Sequence, residues 1–131
     1  MRVLIRGAGD LASGIALRLH RAGLRVVMTD LPAPTAIRRT VCFSPAILHG
    51  ETEVEGVRAL RADSPEQALS LLAQGVVPVL PDPDCLCREQ LHPDALVDAI
   101  LAKKNLGTRI TDAPVVVGIG PGFTAGEDCH A

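Results

Sequence analysis

The sequence predicts an α/β fold built on an open, mostly parallel sheet with helices on both faces. Three observations carry that expectation. The apolar run Val3 to Ile5 leads through "RGAGDLASG" into a stretch of helical spacing, and then into a second apolar run. Apolar runs and helical periods go on alternating along the chain. The last run, "DAPVVVGIG", opens again on a glycine-rich turn. Short apolar runs bounded by turn signals mark strands buried on both faces, as in parallel sheets covered by helices.

The elements follow in order. Arg2 to Arg6 is a first strand. Leu11, Ile15, Leu17 and Leu19, with Ala12 and Ala16, share one helical face up to Gly23, and Arg25 to Thr29 is the second strand. Strand, glycine turn, helix and strand within about 30 residues open a right-handed parallel crossover. After Asp30, "LPAPTAIRRT" reads as a loop before a short strand around Val41 to Phe43, and "ETEVEGVRAL" as a small hairpin turning at Glu55-Gly56. In "SPEQALSLLAQG", Ser64 caps a helix, Pro65 occupies its first turn and Gly75 ends it. "VVPVLPD" is a strand to Leu80. "HPDALVDAIL" fits a helix opened by Pro93 or a buried strand, and the alternation favours the strand. "DAPVVVGIG" is the final strand, through Ile119.

At 131 residues the chain suits a single domain, 1–131, with one core. Two Phe and no Trp or Tyr leave almost no stacking surface for single-stranded nucleic acid, and a formal charge of −2 lacks the basic footprint of a phosphate-backbone binder. No run approaches the roughly 20 apolar residues needed to cross a bilayer. Gly7 and Asp10 interrupt the start where a signal peptide's apolar region would continue, so a cytoplasmic protein without nucleic-acid or membrane partners is expected.

Gly7-Ala8-Gly9-Asp10-Leu11-Ala12 fits the G-x-G-x-x-G/A fingerprint of three-layer Rossmann-like domains. Gly7 serves the tight turn, Gly9 admits a pyrophosphate to the backbone, and Ala12 lets helix pack on strand. The free N–H groups of the helix start then face the phosphate. Asp30, ending the second strand, is placed to accept hydrogen bonds from an adenosine ribose and to disfavour a 2′-phosphate. The cofactor expected is therefore NAD or another unphosphorylated adenosine ligand. Asp10 is an anion at the helix start, suited to capping it.

Two further segments follow strands on the same edge. "AKKNLGT" offers the cations Lys103 and Lys104, the amide of Asn105 and the hydroxyl of Thr108 to a phosphate or carboxylate, or else is a solvated basic turn. Asp98, inside the apolar run before it, must be paired, either facing the crevice or holding a loop. "GIGPGFTAG", with Gly118, Gly120, Gly122, Gly126 and Thr124, forms an anion-accepting concavity or a rigid turn. The pair Cys85 and Cys87, with His92 nearby and Cys129-His130 at the end, reads as free thiols before it reads as a zinc or soft-metal site, because C-x-C lacks a second matched pair. No spacing supports a Ser/His/Asp arrangement, so no catalytic residue is assigned and no metal expected.

Taken together, "RGAGDLASGIALRL", the acid after the second strand, "LVDAILAKKNLGT" and "VVVGIGPGFTAGEDCHA" resemble the YqeB-type accessory proteins of selenium-dependent molybdenum hydroxylase systems, and more distantly the XdhC/CoxI maturation factors. The similarity runs along nearly the whole chain. It implies a Rossmann-like domain that handles the molybdenum cofactor, a pterin nucleotide or its terminal chalcogen ligand during hydroxylase maturation, with the hydroxylase itself as a partner. The motif positions carried over are Gly7, Gly9, Asp10 and Ser13, then Lys103, Lys104, Asn105 and Thr108, then Gly120, Gly122 and Thr124. Family members continue beyond "GPGFTAG", so the chain is expected to be the amino-terminal part of a longer architecture, with a homo-oligomer able to cover an unfinished sheet edge.

The expected function is an accessory nucleotide- or cofactor-binding protein for maturation of a molybdenum hydroxylase. Residues Gly7, Gly9, Asp10, Leu11, Ala12, Ser13 and Asp30 would form one wall of the site. The alternatives are an NAD-dependent oxidoreductase acting on a small metabolite, and an adaptor that has lost its ligand. A dehydrogenase needs a substrate region and an acid/base beside the nicotinamide, for which 131 residues leave little chain.

Overall fold

A computed structural model describes residues 2–30, 43, 46–47, 50–82, 85–100, 108–119, 126 and 129–130. Within them a seven-stranded sheet and its flanking helices run in the order β1 (Arg2–Arg6), α1 (Asp10–Arg21), β2 (Arg25–Thr29), β3 (Glu51–Val54), β4 (Val57–Arg61), α2 (Pro65–Ala73), β5 (Val77–Leu80), α3 (Arg88–Leu91), β6 (Ala95–Asp98) and β7 (Val115–Gly118). The strand order is β3-β4-β5-β2-β1-β6-β7. Every neighbouring pair is parallel except β3 with β4. After β1 and its neighbour β2 the chain runs to the far edge for β3 and β4, inserts β5 between β4 and β2, and then places β6 and β7 on the other side of β1. The strand order therefore reverses between β1 and β6.

Burial follows the periodicity of a sheet packed on two sides. Val3, Ile5, Val26, Met28, Val77, Val79, Ala95 and Val97 share one core cluster with Ala12, Ala16 and Leu17 of α1. Leu4, Val27, Leu80, Leu96 and Val116 share a second with Ala68, Leu71 and Leu72 of α2 and Leu91 of α3. Alternate residues of each strand thus enter different clusters, which explains the uninterrupted apolar runs of the sequence. Full burial of each large aliphatic side chain is worth about 1.5–3 kcal/mol. Leu4, Ile5, Met28 and Leu96 are each at most 1% exposed and carry their share of that stabilisation.

The helix ends show how local chemistry fixes the elements. Ser64 caps α2 by accepting from the Gln67 N–H at 3.1 Å, and the Gln67 side-chain oxygen accepts in return from the Asp63 N–H at 2.8 Å. At α1 the N-cap is Gly9, which has no side chain to cap with. Asp10 is the first helical residue and does not occupy the capping position expected of it.

The Glu55-Gly56 hairpin is present and belongs to the main sheet. β4 pairs in parallel with β5, so the hairpin extends the main sheet and β3 is its outermost antiparallel strand. Ala95–Asp98 is a strand, and the final strand ends at Gly118, one residue before the expected end. Of the strand expected at 41–43, only Phe43 is described, and it is a bend with a fully buried side chain. The four-residue α3 was not foreseen, because one turn of helix gives no period to detect. No described helix is long and apolar enough to cross a membrane.

Candidate functional site

Five parallel strands end level with one another. Leu80 of β5 is registered with Thr29 of β2, Thr29 with Arg6 of β1, Arg6 with Asp98 of β6, and Asp98 with Gly118 of β7. One residue further on, backbone bonds continue the ladder. Asp30 N–H donates to Leu80 O at 3.0 Å, Gly7 to Thr29 at 2.7 Å, Ala99 to Arg6 at 2.9 Å and Ile119 to Asp98 at 2.8 Å. The reversal of strand order falls within this row, between Arg6 and Asp98. A crevice outside the carboxyl ends of the strands at such a reversal is where ligands bind in open α/β sheets.

The glycine turn leaves the row at its centre. Gly7 has φ +114, and a Cβ there would stand 3.1 Å from the Ala99 carbonyl oxygen of β6's exit, so the fold itself demands glycine. Gly9 is different. Its φ is −75, an ordinary value, and none of the described residues lies within 4 Å of the place its Cβ would occupy. Neither its φ nor any described neighbour requires glycine at this position.

Ser13, fully buried, ties the turn together. Its hydroxyl donates to Ala8 O at 3.2 Å and accepts from Phe43 N–H at 2.8 Å. Ala12 is buried against the strands, whereas Leu11 is 44% exposed beside the turn. Asp30 follows Thr29 at the end of β2 and is half-buried. Gly7, Gly9 and Asp30 are thus brought to neighbouring strand ends, as their spacing implied.

Thr108 meets the row of strand ends at Arg6 and Asp98. It is buried, and its hydroxyl stands 2.5 Å from Asp98 Oδ2 and 3.0 Å from an Arg6 guanidinium nitrogen. The Arg6–Asp98 pair itself is separated by 3.8 Å. Asp98 Oδ1 also accepts from the Ile100 N–H at 3.2 Å. Arg6 and Asp98 follow Leu4 and Leu96 by two residues and so share the sheet face packed with α2 and α3, opposite α1. A buried guanidinium and carboxylate need such partners, since unpaired they would cost several kcal/mol.

Lys103, Lys104, Asn105, Gly120, Gly122 and Thr124 lie outside the described residues, as does the side chain of Asp10. Sequence reasoning missed Arg6 and Thr29. Their signal was a charged and a hydroxyl residue at matching ends of strands buried on both faces, which becomes legible once the register is known. Cys85, Cys87 and Cys129 are buried free thiols. Among the described residues no group of three or more His, Cys, Asp or Glu is placed to hold a metal. The His130 imidazole instead accepts from the Val116 N–H at 2.9 Å, closing the outer edge of β7.

The chain is 55% identical over 129 residues, 98% of its length, to a protein of Escherichia coli strain K12 described as uncharacterized protein YqeB. It spans about a quarter (24%) of that relative's length. No protein-family model and no solved structure matches the chain.

Proposed function

We propose that the chain is a YqeB-type unit with a three-layer, Rossmann-like arrangement, and that it binds a nucleotide or pterin-nucleotide cofactor in the maturation of a molybdenum hydroxylase. The layers are supported by the division of alternate strand residues between one cluster containing α1 and another containing α2 and α3. The family reading is supported by the 55% identity to the YqeB protein and by the resemblance of the glycine motifs.

The observation that carries the binding proposal is Gly9. Gly9 stands at the amino end of a helix, at the reversal of strand order, with an ordinary φ and no described residue within 4 Å of where its Cβ would lie. A ligand that must approach the backbone supplies a reason for glycine there. The N-cap Gly9 has no side chain to cap the first N–H groups of α1, which would hold a phosphate, aided by the helix dipole. Asp30, at the end of the neighbouring strand, would accept from a ribose hydroxyl. Lys103, Lys104, Asn105, Gly120, Gly122 and Thr124 would contact the remainder of the ligand.

The chain's part is to bind and orient the cofactor. Any redox or chalcogen chemistry belongs to the cofactor and its client enzyme. Calorimetric titration with NAD, NADP, ATP and a pterin nucleotide tests the binding. Saturable binding of at least one is expected, NADP weaker than NAD, and silence for all four would overturn the proposal. Turnover of NAD with a small metabolite would replace it with an oxidoreductase. Capture of a purified molybdenum hydroxylase on the immobilised chain tests the maturation role.

A further inference from the structure

Beyond the carboxyl end of β5 lies a cavity of about 410 Å³, between the amino end of α2 and the segment that leads through α3. That volume is within the range of small-molecule sites. Leu80, Pro81, Pro65 and Leu86 give it apolar walls. Leu86 is 63% exposed, a large aliphatic side chain that the core does not take in. The charged side chains among the described lining residues are Asp63, Asp82 and Glu89, all acids. A phosphate would meet no cation among them, whereas a flat group with apolar faces and hydrogen-bond donors on its edge would find acceptors.

Asp82 is the acid that the fold fixes. Asp63 is drawn to the Arg61 guanidinium at 2.7 Å, and Glu89 is exposed. Asp82 is half-buried and held at three points: its N–H donates to the Leu80 carbonyl at 2.9 Å, its carbonyl accepts from the Cys85 N–H at 3.0 Å, and its Oδ2 accepts from the Cys87 N–H at 2.8 Å. The Leu80 carbonyl also accepts from the Asp30 N–H, at 3.0 Å. Asp30 and Asp82 are therefore anchored on one oxygen, at the exits of neighbouring strands that lie about 4.8 Å apart. A base attached to a ribose at Asp30 is within reach of the next strand exit, where the cavity lies.

Resting on the reading that Gly9 and Asp30 hold a phosphate and a ribose, we propose that this cavity takes the ring of the ligand. Asp82 selects a ring with the 2-amino-4-oxopyrimidine edge that guanine and pterin share. That edge presents a ring N–H and an amino group side by side, two donors that a carboxylate accepts with its two oxygens. Adenine sets its amino group beside a bare ring nitrogen, whose lone pair faces those of the carboxylate. Hypoxanthine keeps the ring N–H and lacks the amino group. The Gln90 amide, also lining the cavity, is a donor for the ring carbonyl. Leu86 and Pro81 cover the ring faces, in a chain with two Phe and no Trp or Tyr to stack on them.

The test is calorimetric titration of the full chain with GTP, ITP, ATP and dihydroneopterin triphosphate. GTP or the pterin is expected to bind on the order of tenfold more tightly than ITP and ATP, the worth of a hydrogen bond to a charged acceptor. The tighter of the two identifies the ring as guanine or pterin, and either upholds the proposal. Equal affinities for all four, or a preference for ATP, would overturn it while leaving nucleotide binding at Gly9 in place, and this comparison needs no variant. Asp82→Asn can keep its oxygen on the Cys87 N–H and turn its NH2 to the cavity. It should abolish the preference for GTP, leave ATP affinity unchanged and favour XTP, which carries a carbonyl where GTP carries the amino group. A folded Asp82→Asn chain with the wild-type order of affinities would also overturn the proposal. Silence toward every ligand would overturn it together with the reading of Gly9. A GTP preference undiminished in Gly9→Val, with GTP affinity unchanged, would uphold the role of Asp82 and overturn that reading alone.

Discussion

Thr108 bridges to Asp98 across 2.5 Å in the interior, ten residues apart in sequence, and thereby fastens the segment after β6 to the end of the strand. Arg6 contacts the same Asp98 oxygen at 3.8 Å from the neighbouring strand. Asp98→Ala removes the buried carboxylate that Thr108 and Arg6 share, so a loss of about 3–5 kcal/mol is expected. Thr108→Val keeps shape but removes the hydroxyl, with an expected loss of about 1–3 kcal/mol. Urea unfolding checks both. A ranking with Thr108→Val costlier than Asp98→Ala would show that the network is not centred on the carboxylate.

Gly7 and Gly9 should respond oppositely to a methyl group. Gly7→Ala meets the Ala99 carbonyl and a φ of +114, so a loss of roughly 1–3 kcal/mol is expected. Gly9→Ala meets none of the described residues and should leave the stability within about 0.5 kcal/mol of wild type, or raise it slightly by stiffening the unfolded chain. Thermal denaturation of the two variants side by side decides the point.

Glu55 turns the β3–β4 hairpin at φ +50, in a position that Asn and Gly occupy at lower cost. Glu55→Asn should stabilise the protein by about 0.4–1 kcal/mol. The Arg21 guanidinium bonds to the Glu55 backbone oxygen at 3.0 Å, so the substitution leaves that contact in place.

Ser64 caps α2 through the Gln67 N–H. Ser64→Ala should cost about 0.5–2 kcal/mol, and Ser64→Asp should recover most of it. Failure of Asp to recover would mean that the hydroxyl serves another partner.

Much of the architecture was legible because parallel strands buried on two sides must be apolar throughout. Val3–Ile5, Val26–Met28 and Val77–Leu80 announce themselves, as do the Ser64 cap and the Glu55 turn. The Gly7, Gly9 and Asp30 grouping was legible because a crossover of fixed length brings the ends of β1 and β2 together. The union of Arg6, Thr29, Asp98 and Thr108 was not, since it depends on register across strands far apart in sequence.

Gly9→Val tests the central claim most directly, because the claim is that Gly9 is glycine for a ligand and not for the fold. The measurement is calorimetric affinity for whichever of NAD, ATP or a pterin nucleotide binds the wild-type chain, taken with the circular-dichroism spectrum of the variant. A native spectrum with affinity reduced at least tenfold is expected, a change of about 1.4 kcal/mol or more. A native spectrum with unchanged affinity would contradict the account and place the ligand away from the glycine turn.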